Sequence, residues 1–294
     1  MTATASKPRV LLGLIGAGIQ QTLSPALHEA EGDAQGLRLQ YRIYDLDVLA
    51  LGERALPSLL DAARLLGYAG LNITFPCKQT VLPLLDALSD DARAMNAVNT
   101  VVFRDGRATG HNTDASGFAH GFRRGLPYAS TACVALIGAG GAGSAVAHAM
   151  LGLGTRELRI VDNDPARSDE LARGAAARFS DRTIVAVPGA REALAGASGV
   201  INATPIGMAK LPGTPIDAAL LDAKQWVADC VYRPIDTALL TAARSRGCAT
   251  LDGGGMNVGQ AVDAFRLFTG LDPDPARVAR HFAALIAAER AAGS

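Results

Sequence analysis

Short apolar runs alternate with amphipathic segments along the chain of 294 residues. In the first part, the apolar runs have the length of strands and are found at residues 10–15, 41–46 and 71–75. The segments between these runs have helical spacing, with helices expected from about Pro25 and over residues 53–66. This βαβαβ order predicts an α/β fold.

A β-hairpin and a second alternating series are predicted to follow. Asp105 and Gly106, a dipeptide typical of a two-residue hairpin turn, separate strand-like residues 101–104 from 107–110. Further strand-like runs are found at residues 134–137, 158–161, 183–187, 199–202, 226–231 and 249–251. The chain ends in predicted helices, at residues 260–268 and in a run whose apolar face holds Val278, Phe282, Leu285 and Ile286. Two α/β domains with a cleft between them are therefore expected.

The loop after the run at 134–137 has the glycine spacing of a dinucleotide-binding turn. Gly138, Gly140 and Gly143 form G-x-G-x-x-G between this strand and a helix-compatible segment over 142–153. In such a turn, one glycine makes the tight bend, another lets the backbone approach a pyrophosphate, and the third lets helix and strand pack closely. The motif alone is weak, but the order strand, loop, helix favours a bound dinucleotide.

An acid ends the next predicted strand, where the adenosine ribose of such a ligand is expected. The carboxylate of Asp162 can accept hydrogen bonds from the ribose hydroxyls, and its charge, with that of Asp164, disfavours the additional phosphate of NADP. NAD is therefore the predicted cofactor, and NADP the less favoured one. Arg167 complicates this prediction, because its guanidinium suits either a phosphate or the adenine face.

Composition and charge exclude several other classes of protein. The 28 basic and 28 acidic side chains balance. The sequence has no stripe of basic residues, so a nucleic-acid partner is not expected. The first nine residues lack the apolar core of a signal peptide, and no segment favours a membrane span, so a cytoplasmic location is expected. The scattered histidines and the four cysteines, Cys77, Cys133, Cys230 and Cys248, predict neither a metal site nor a disulfide.

Polar clusters stand at the predicted strand ends, at residues 22–25, 72–78, 97–100, 110–117, 202–208, 229–234 and 252–260. In this order they resemble the shikimate dehydrogenase family, specifically its quinate/shikimate dehydrogenase branch, over nearly the whole chain. The resemblance implies a substrate-binding α/β domain over 1–114, completed by helices over 260–294, and a Rossmann-type NAD-binding domain over 115–259. The implied substrate is a small polyhydroxy cyclohexane or cyclohexene carboxylate, oxidised to its 3-dehydro acid in aromatic amino acid biosynthesis or quinate metabolism.

The resemblance also implies a role for individual residues. Lys78 and Asp114 correspond to the catalytic pair, and Thr22 and Ser24 to the hydroxyl residues that hold the substrate carboxylate. Other residues expected to line the substrate pocket are Asn72, Thr74, Asn99, Tyr232 and Gln260. Residues expected around the cofactor are Gly138, Ala139, Gly140, Gly141, Ala142, Gly143, Asp162, Arg167, Ala203, Thr204, Pro205, Val231, Gly253 and Met256.

The pair of Lys78 and Asp114 also suits the chemistry on general grounds. Oxidation of a secondary alcohol by hydride transfer leaves a hydroxyl proton, which a group beside the carbinol must remove. A lysine amine can accept this proton and, as an ammonium group held by a carboxylate, can return it. Taken singly, each residue has an ordinary interpretation, Lys78 as a surface lysine after a proline turn and Asp114 as a helix N-cap.

Three departures from the family pattern leave the substrate open. Thr22 stands where serine is usual, Cys77 where a bulkier residue is usual, and Asn257 where an aliphatic residue is usual. Shikimate, quinate and an aminoshikimate-type substrate are therefore all retained. Two further alternatives are a methylenetetrahydrofolate dehydrogenase-like enzyme and a non-catalytic NAD-binding sensor. The sequence leaves a homodimer open.

Overall fold

The computed structural model describes residues 7–292, which form two compact α/β units. The first unit comprises Met1–Thr113 and Ala261–Ser294, and the second comprises Asp114–Gln260. The predicted two-domain α/β fold is confirmed. The predicted boundaries at 114/115 and 259/260 each lie one residue from the divisions between the units. Six residues of the predicted N-terminal segment, 1–6, lie outside the described part of the chain.

A six-stranded mixed sheet forms the centre of the first unit. Its strands are β1 (Arg9–Gly16), β2 (Arg38–Asp45), β3 (Gly70–Ile73), β4 (Ala87–Leu88), β5 (Thr100–Arg104) and β6 (Arg107–His111), in the order β2-β1-β3-β5-β6-β4. Because β1 runs parallel to β2 and β3, these three strands end at the same edge, where the antiparallel β5 begins. The predicted hairpin is confirmed, since Asp105 and Gly106 both have positive φ angles, 52° and 73°.

Helices complete the core of the first unit on both faces of this sheet. Successive residues of β5 alternate between the faces: Val101 packs in a cluster with Leu56 and Leu60, and Val102 in a cluster with Phe265. The helices are α1 (Ser24–Ala34), α2 (Leu56–Leu65), α3 (Asp90–Met95), α10 (Pro275–Ala292) and the part of α9 (Gly254–Thr269) from Ala261 onward, with short 3-10 helices at Glu53–Ala55 and Leu82–Leu84.

Six parallel strands form the sheet of the second unit: β7 (Cys133–Ile137), β8 (Glu157–Val161), β9 (Thr183–Ala186), β10 (Gly199–Asn202), β11 (Trp226–Asp229) and β12 (Ala249–Leu251). Their order, β12-β11-β10-β7-β8-β9, is that of a doubly wound dinucleotide-binding fold. The helices are α4 (Asp114–Gly125), α5 (Gly141–Gly152), α6 (Pro165–Arg178), α7 (Ala190–Leu194), α8 (Ala238–Ser245) and α9 up to Gln260, with a 3-10 helix at Ala218–Leu220. Ligands of such folds bind where the strand order reverses, which here lies between β7 and β10.

Helices α4 and α9 approach each other through glycine residues. A Cβ atom added at Gly117 would lie 2.6 Å from the backbone nitrogen of Gln260, and one added at Gly121 would lie 3.0 Å from the carbonyl carbon of Gly255. Side chains at these positions would separate the two helices. This packing explains why α9 begins at Gly254 rather than at the predicted residue 260, since tertiary contact outweighs the low helix propensity of glycine.

The boundaries of β2 and β3 also differ from prediction, for local reasons. β2 begins at Arg38 instead of residue 41, because polar side chains alternate with the buried Leu39 and Tyr41 at the edge of the sheet. β3 ends at Ile73 instead of residue 75, where the chain turns and leaves the ring of Phe75 64% exposed. The strands were predicted from runs of apolar residues. Such runs indicate neither an alternation of polar and apolar side chains nor the exposure of a single apolar side chain.

A buried histidine of α1, His28, packs against aromatic side chains of the first unit. The His28 ring stacks on Tyr41 at a centroid distance of 5.0 Å and on Phe265 at 6.2 Å. Neither ring nitrogen has a hydrogen-bond partner among residues 7–292. Burial lowers the pKa of His28 to about 4, whereas an unfolded histidine titrates near 6.5. Between these values only the unfolded state binds the proton, so stability falls as the pH falls through this window.

Replacement of this histidine by phenylalanine is expected to weaken the acid sensitivity of folding. On going from pH 7.5 to pH 5.0, the wild type should lose about 1–2 kcal/mol more of its unfolding free energy than His28→Phe does. Urea unfolding at the two pH values measures this difference. Replacement of the exposed His120 by glutamine serves as the control and should behave as the wild type. An unchanged pH dependence in His28→Phe would contradict the prediction.

Candidate active site

The two hydroxyl residues predicted to bind a carboxylate lie together in the first unit. Thr22 lies in the loop between β1 and α1, and Ser24 is the first residue of α1. The hydroxyl of Thr22 donates to Ser24 Oγ at 3.2 Å, and the backbone N–H of Ser24 donates to Thr22 Oγ1 at 3.3 Å. Hydroxyls this close can each rotate to donate to one carboxylate group.

Thr74 and Lys78 follow β3 at the same edge of the sheet. A Cβ atom added at Gly16 would lie 2.3 Å from Thr74 Cγ2, so Thr74 packs directly against the end of β1. The side chain of Lys78 is half-buried, and the backbone carbonyl oxygen of Lys78 accepts a hydrogen bond from Val98 N at 2.8 Å. This bond joins the lysine segment to the residue that precedes Asn99.

Asn99 fixes the chain immediately before α4. Its Oδ1 accepts from Thr113 N at 2.8 Å, and its Nδ2 donates to Thr113 Oγ1 at 2.9 Å. Thr113 directly precedes Asp114, the first residue of α4. Asn99 therefore has a structural task at the position where the sequence predicts a contact with substrate.

Asn72 forms hydrogen bonds with three residues of the first unit. Its Oδ1 accepts from the Tyr41 hydroxyl at 2.7 Å, and its Nδ2 donates to Thr100 Oγ1 at 3.1 Å and to Asn99 O at 3.2 Å. The side chain is only 5% exposed. These contacts support the segment that contains Asn99, and the partner Tyr41 was not predicted from the sequence.

The other predicted substrate residues belong to the second unit. Asp114 is 5% exposed, and Gln260 lies on α9, where its Nε2 donates to Asn257 O at 3.0 Å. The backbone contact between Gly117 and Gln260 brings the start of α4 and this part of α9 side by side. Tyr232 is half-buried and follows β11. The pairing of Asp114 with a lysine of the first unit stays a prediction.

Two of the three glycines after β7, Gly138 and Gly143, have the structural roles that their spacing predicts. Gly138 has a φ angle of 105° and makes the turn, and its N–H donates to Val161 O at 2.7 Å. A Cβ atom added at Gly143 would lie 2.0 Å from Gly138 O, so only glycine allows this contact between helix and loop. A Cβ atom at Gly140 would meet nothing within 4 Å. That space, at the N-terminus of α5 with Gly141 and Ala142 in its first turn, fits a pyrophosphate.

Asp162 contacts the same glycine-rich loop from the end of β8. Its Oδ2 accepts from Ala139 N at 2.7 Å, and its Oδ1 accepts from Asp164 N at 3.0 Å. The sequence predicts a contact between Asp162 and a ribose, but not its bond to the loop. Arg167 forms an exposed ion pair with Asp164 at 3.6 Å.

A buried amide and a buried carboxylate hold the loops predicted to surround the nicotinamide. Asn202 Nδ2 donates to Asp229 Oδ1 at 2.9 Å, and Asn202 Oδ1 accepts from Thr204 N at 2.9 Å. Asp229 Oδ1 also accepts from Val231 N at 2.9 Å, although burial raises the pKa of Asp229 to about 6. Neither Asn202 nor Asp229 was assigned a role from the sequence, because their partners depend on the pairing of β10 with β11.

The remaining predicted cofactor residues lie beside these loops. Ala203 is buried and Pro205 is exposed in the segment after β10. A Cβ atom added at Gly253 would lie 2.5 Å from the carbonyl oxygen of Cys230, so glycine permits close approach there as well. Met256 lies in the first turn of α9 instead of in a loop.

Several observations limit the other chemistry open to residues 7–292. Within this range, no three His, Cys, Asp or Glu side chains are grouped as a metal site requires. In the same range, no helix is both long and apolar enough to cross a membrane. No two cysteines in this range form a disulfide, and Cys77 is fully buried in the core of the first unit, where burial raises the pKa of its thiol to about 12.

Alanine substitutions at two of the glycines should separate folding from ligand binding. Gly143→Ala forces a Cβ atom against Gly138 O and should lower the melting temperature by several degrees. Gly140→Ala has room in the free protein, so its melting temperature should stay close to that of the wild type while its affinity for NADH falls at least tenfold. Thermal unfolding and NADH fluorescence titration provide the two measurements. Wild-type NADH affinity in Gly140→Ala would argue against a pyrophosphate at this loop.

Comparison with known proteins identifies related sequences along the whole chain. The family model for the shikimate dehydrogenase substrate binding domain matches residues 14–101, and the ThiF family model matches residues 122–230. A shikimate dehydrogenase (NADP(+)) from Streptomyces avermitilis is 55% identical over 277 residues, which cover 94% of this chain and 95% of the relative.

Relatives with quinate in their names are similarly close. A quinate/shikimate dehydrogenase (NAD(+)) from Corynebacterium efficiens is 50% identical over 279 residues, covering 94% of this chain and 98% of the relative. The solved structure of quinate dehydrogenase from Corynebacterium glutamicum in complex with NAD aligns with a TM-score of 0.85 and 49% identity, covering 95% of this chain and 100% of that chain. With this similarity over nearly its full length, the chain belongs to the shikimate dehydrogenase family, which includes the quinate/shikimate dehydrogenases.

Proposed function

We propose that this chain catalyses the reversible, nicotinamide-dependent oxidation of shikimate, quinate or both to the 3-dehydro acid. The observation that carries the proposal is the polar cluster at one edge of the first sheet, formed by Thr22, Ser24, Thr74, Lys78 and Asn99. The cluster supplies two hydroxyl donors for a carboxylate and an amino group for a reacting hydroxyl. Enzymes named for these substrates are 50% and 55% identical to the chain. This similarity does not favour the alternatives of a methylenetetrahydrofolate dehydrogenase-like enzyme or a non-catalytic NAD-binding sensor.

Each residue of the cluster has a role that its chemistry permits. The hydroxyls of Thr22 and Ser24 donate to the substrate carboxylate and orient the ring. During oxidation, Lys78 Nζ accepts the proton of the reacting hydroxyl, and in the reverse direction it returns this proton. Asp114 is the second member of the proposed catalytic pair. A nicotinamide cofactor held by the second unit would supply the hydride acceptor. Asn72 acts indirectly, since its hydrogen bonds hold the segment that contains Asn99.

We propose NAD as the preferred cofactor. Asp162 and Asp164 bring two carboxylates to the end of β8, where the adenosine of a dinucleotide is expected. Arg167 pairs with Asp164, which reduces the positive charge available to a 2′-phosphate. The names of the relatives divide between NAD(+) and NADP(+), so the proposal depends on these side chains of the chain itself.

Removal of the lysine amino group should abolish most of the turnover without affecting the cofactor. For Lys78→Ala, kcat is expected to fall roughly 10²–10⁴-fold, because a proton-transfer group typically contributes this much. NADH affinity, measured by fluorescence titration, should remain within twofold of the wild type. Lys224→Ala removes an exposed lysine of the second unit and is the matched control. Near-normal kcat in purified Lys78→Ala would refute the catalytic assignment.

The unaltered enzyme should prefer NAD at least tenfold in kcat/KM. Repulsion between Asp162 and a 2′-phosphate corresponds to about 1–3 kcal/mol after solvent screening. Asp162→Ser removes this charge and retains an acceptor for the Ala139 N–H, so the preference should shrink. Asp169→Asn removes an exposed charge from α6 and should leave the ratio unchanged. Equal or greater kcat/KM with NADP in the unaltered enzyme would instead make Arg167 the dominant group.

A further inference from the structure

A buried aspartate holds the loop that precedes the two hydroxyl residues. Asp45 ends β2 and is only 2% exposed. Its Oδ1 accepts from Gly18 N at 2.8 Å and from Asp47 N at 3.1 Å, and its Oδ2 accepts from Ile19 N at 2.9 Å. The Gln20 side chain is a further hydrogen-bond partner. Burial disfavours the charge, but these hydrogen bonds outweigh it and hold the pKa of Asp45 below its usual value.

Hydrogen bonds in the loop between β1 and α1 connect this aspartate to the hydroxyl pair of Thr22 and Ser24. Ile19, whose N–H is bound by Asp45, accepts through its carbonyl oxygen from Thr22 N at 3.0 Å. Thr22 Oγ1 in turn contacts both the N–H and the hydroxyl of Ser24. Gly18 has a positive φ angle of 68°, so the loop adopts a conformation that other residues rarely take. The position of Thr22 therefore depends on bonds that are made three and four residues earlier.

These bonds also determine which groups of the loop are left for recognition of an anion. The N–H groups of Gly18 and Ile19 lie at the carboxyl end of a parallel strand, where backbone N–H groups frequently bind anionic ligands. Asp45 already occupies both of them. These two N–H groups are therefore not left for a substrate carboxylate, whose proposed donors in this loop region are the hydroxyls of Thr22 and Ser24.

We infer that Asp45 is a positioning residue for substrate, which fixes the loop so that Thr22 and Ser24 bind the carboxylate of shikimate or quinate. The inference rests on the proposed function. Asp45 acts through the loop and does not itself contact the substrate. Its effect should therefore be confined to ligands that carry a free carboxylate, and should not extend to the cofactor.

The test compares shikimate with its neutral methyl ester in the wild type and in Asp45→Asn. Asparagine keeps the shape of the side chain but replaces one acceptor oxygen with a donor that faces the loop N–H groups. KM for shikimate should rise on the order of tenfold, as expected for the loss of a hydrogen bond to a charged group. KM for the methyl ester, KM for NAD and kcat should each change less than threefold. This split distinguishes positioning of the carboxylate site from general damage.

Two further variants keep the inference falsifiable. Asp86→Asn is the matched control, since Asp86 also accepts from a backbone N–H, that of Ala108 at 2.7 Å, but at the far side of the same sheet. It should not alter KM for shikimate. Gly18→Ala strains the loop without changing Asp45 and should raise KM for shikimate with the same selectivity. Gly18→Ala also provides the test if Asp45→Asn does not fold.

The possible failures are distinguishable. If wild-type KM is the same for shikimate and its methyl ester, the carboxylate site of the proposed function is wrong. If the wild type discriminates between them but Asp45→Asn and Gly18→Ala leave KM for shikimate unchanged, the inference about Asp45 is wrong and the proposed function stands. An equal rise for acid and ester, or the same rise in Asp86→Asn, would likewise overturn the inference.

Discussion

In both units, an aspartate at the end of one strand accepts hydrogen bonds from the backbone of the loop that follows the neighbouring parallel strand. Asp45 of β2 holds Gly18 and Ile19 after β1, and Asp162, directly after β8, holds Ala139 after β7. Loops that leave the end of a parallel strand carry N–H groups without ladder partners, and buried groups of this kind need acceptors. One short carboxylate side chain satisfies them and fixes the loop at the edge where ligands of α/β folds bind.

Around these two acids, buried amides connect the other ligand-binding segments. Asn72 and Asn99 join β3, β5 and the segment before α4 in the first unit. Asn202 has the same task between β10 and β11 in the second unit. An amide side chain suits this position because it offers both donors and an acceptor to neighbouring strands. The loop that carries Thr22 and the segment before Asp114 are thus each fixed by a side chain that lies in or next to a strand of the sheet.

Much of the fold and of the candidate site could be predicted from the sequence. Periodicity located the strands and the hairpin, and the glycine spacing located the turn after β7, because these signals are local. Interactions across strands left no comparable signal. The bond between Tyr41 and Asn72 depends on the placement of β2 and β3 on either side of β1, and the start of α9 at Gly254 depends on contact with α4. Side chains that support a site were therefore missed more often than residues that belong to a motif.

The double role of Asp162 has a consequence for how this protein could diverge. The same carboxylate carries the charge at the proposed adenosine site and the acceptor for Ala139 N in the glycine-rich loop. A single substitution that removes the charge and the acceptor together also loosens the loop that both forms of the cofactor would use. Exchange of one cofactor for the other along a lineage is therefore easier through residues that retain a hydrogen-bond acceptor, and the order in which substitutions accumulate becomes constrained. An aspartate that served only the ribose would impose no such order.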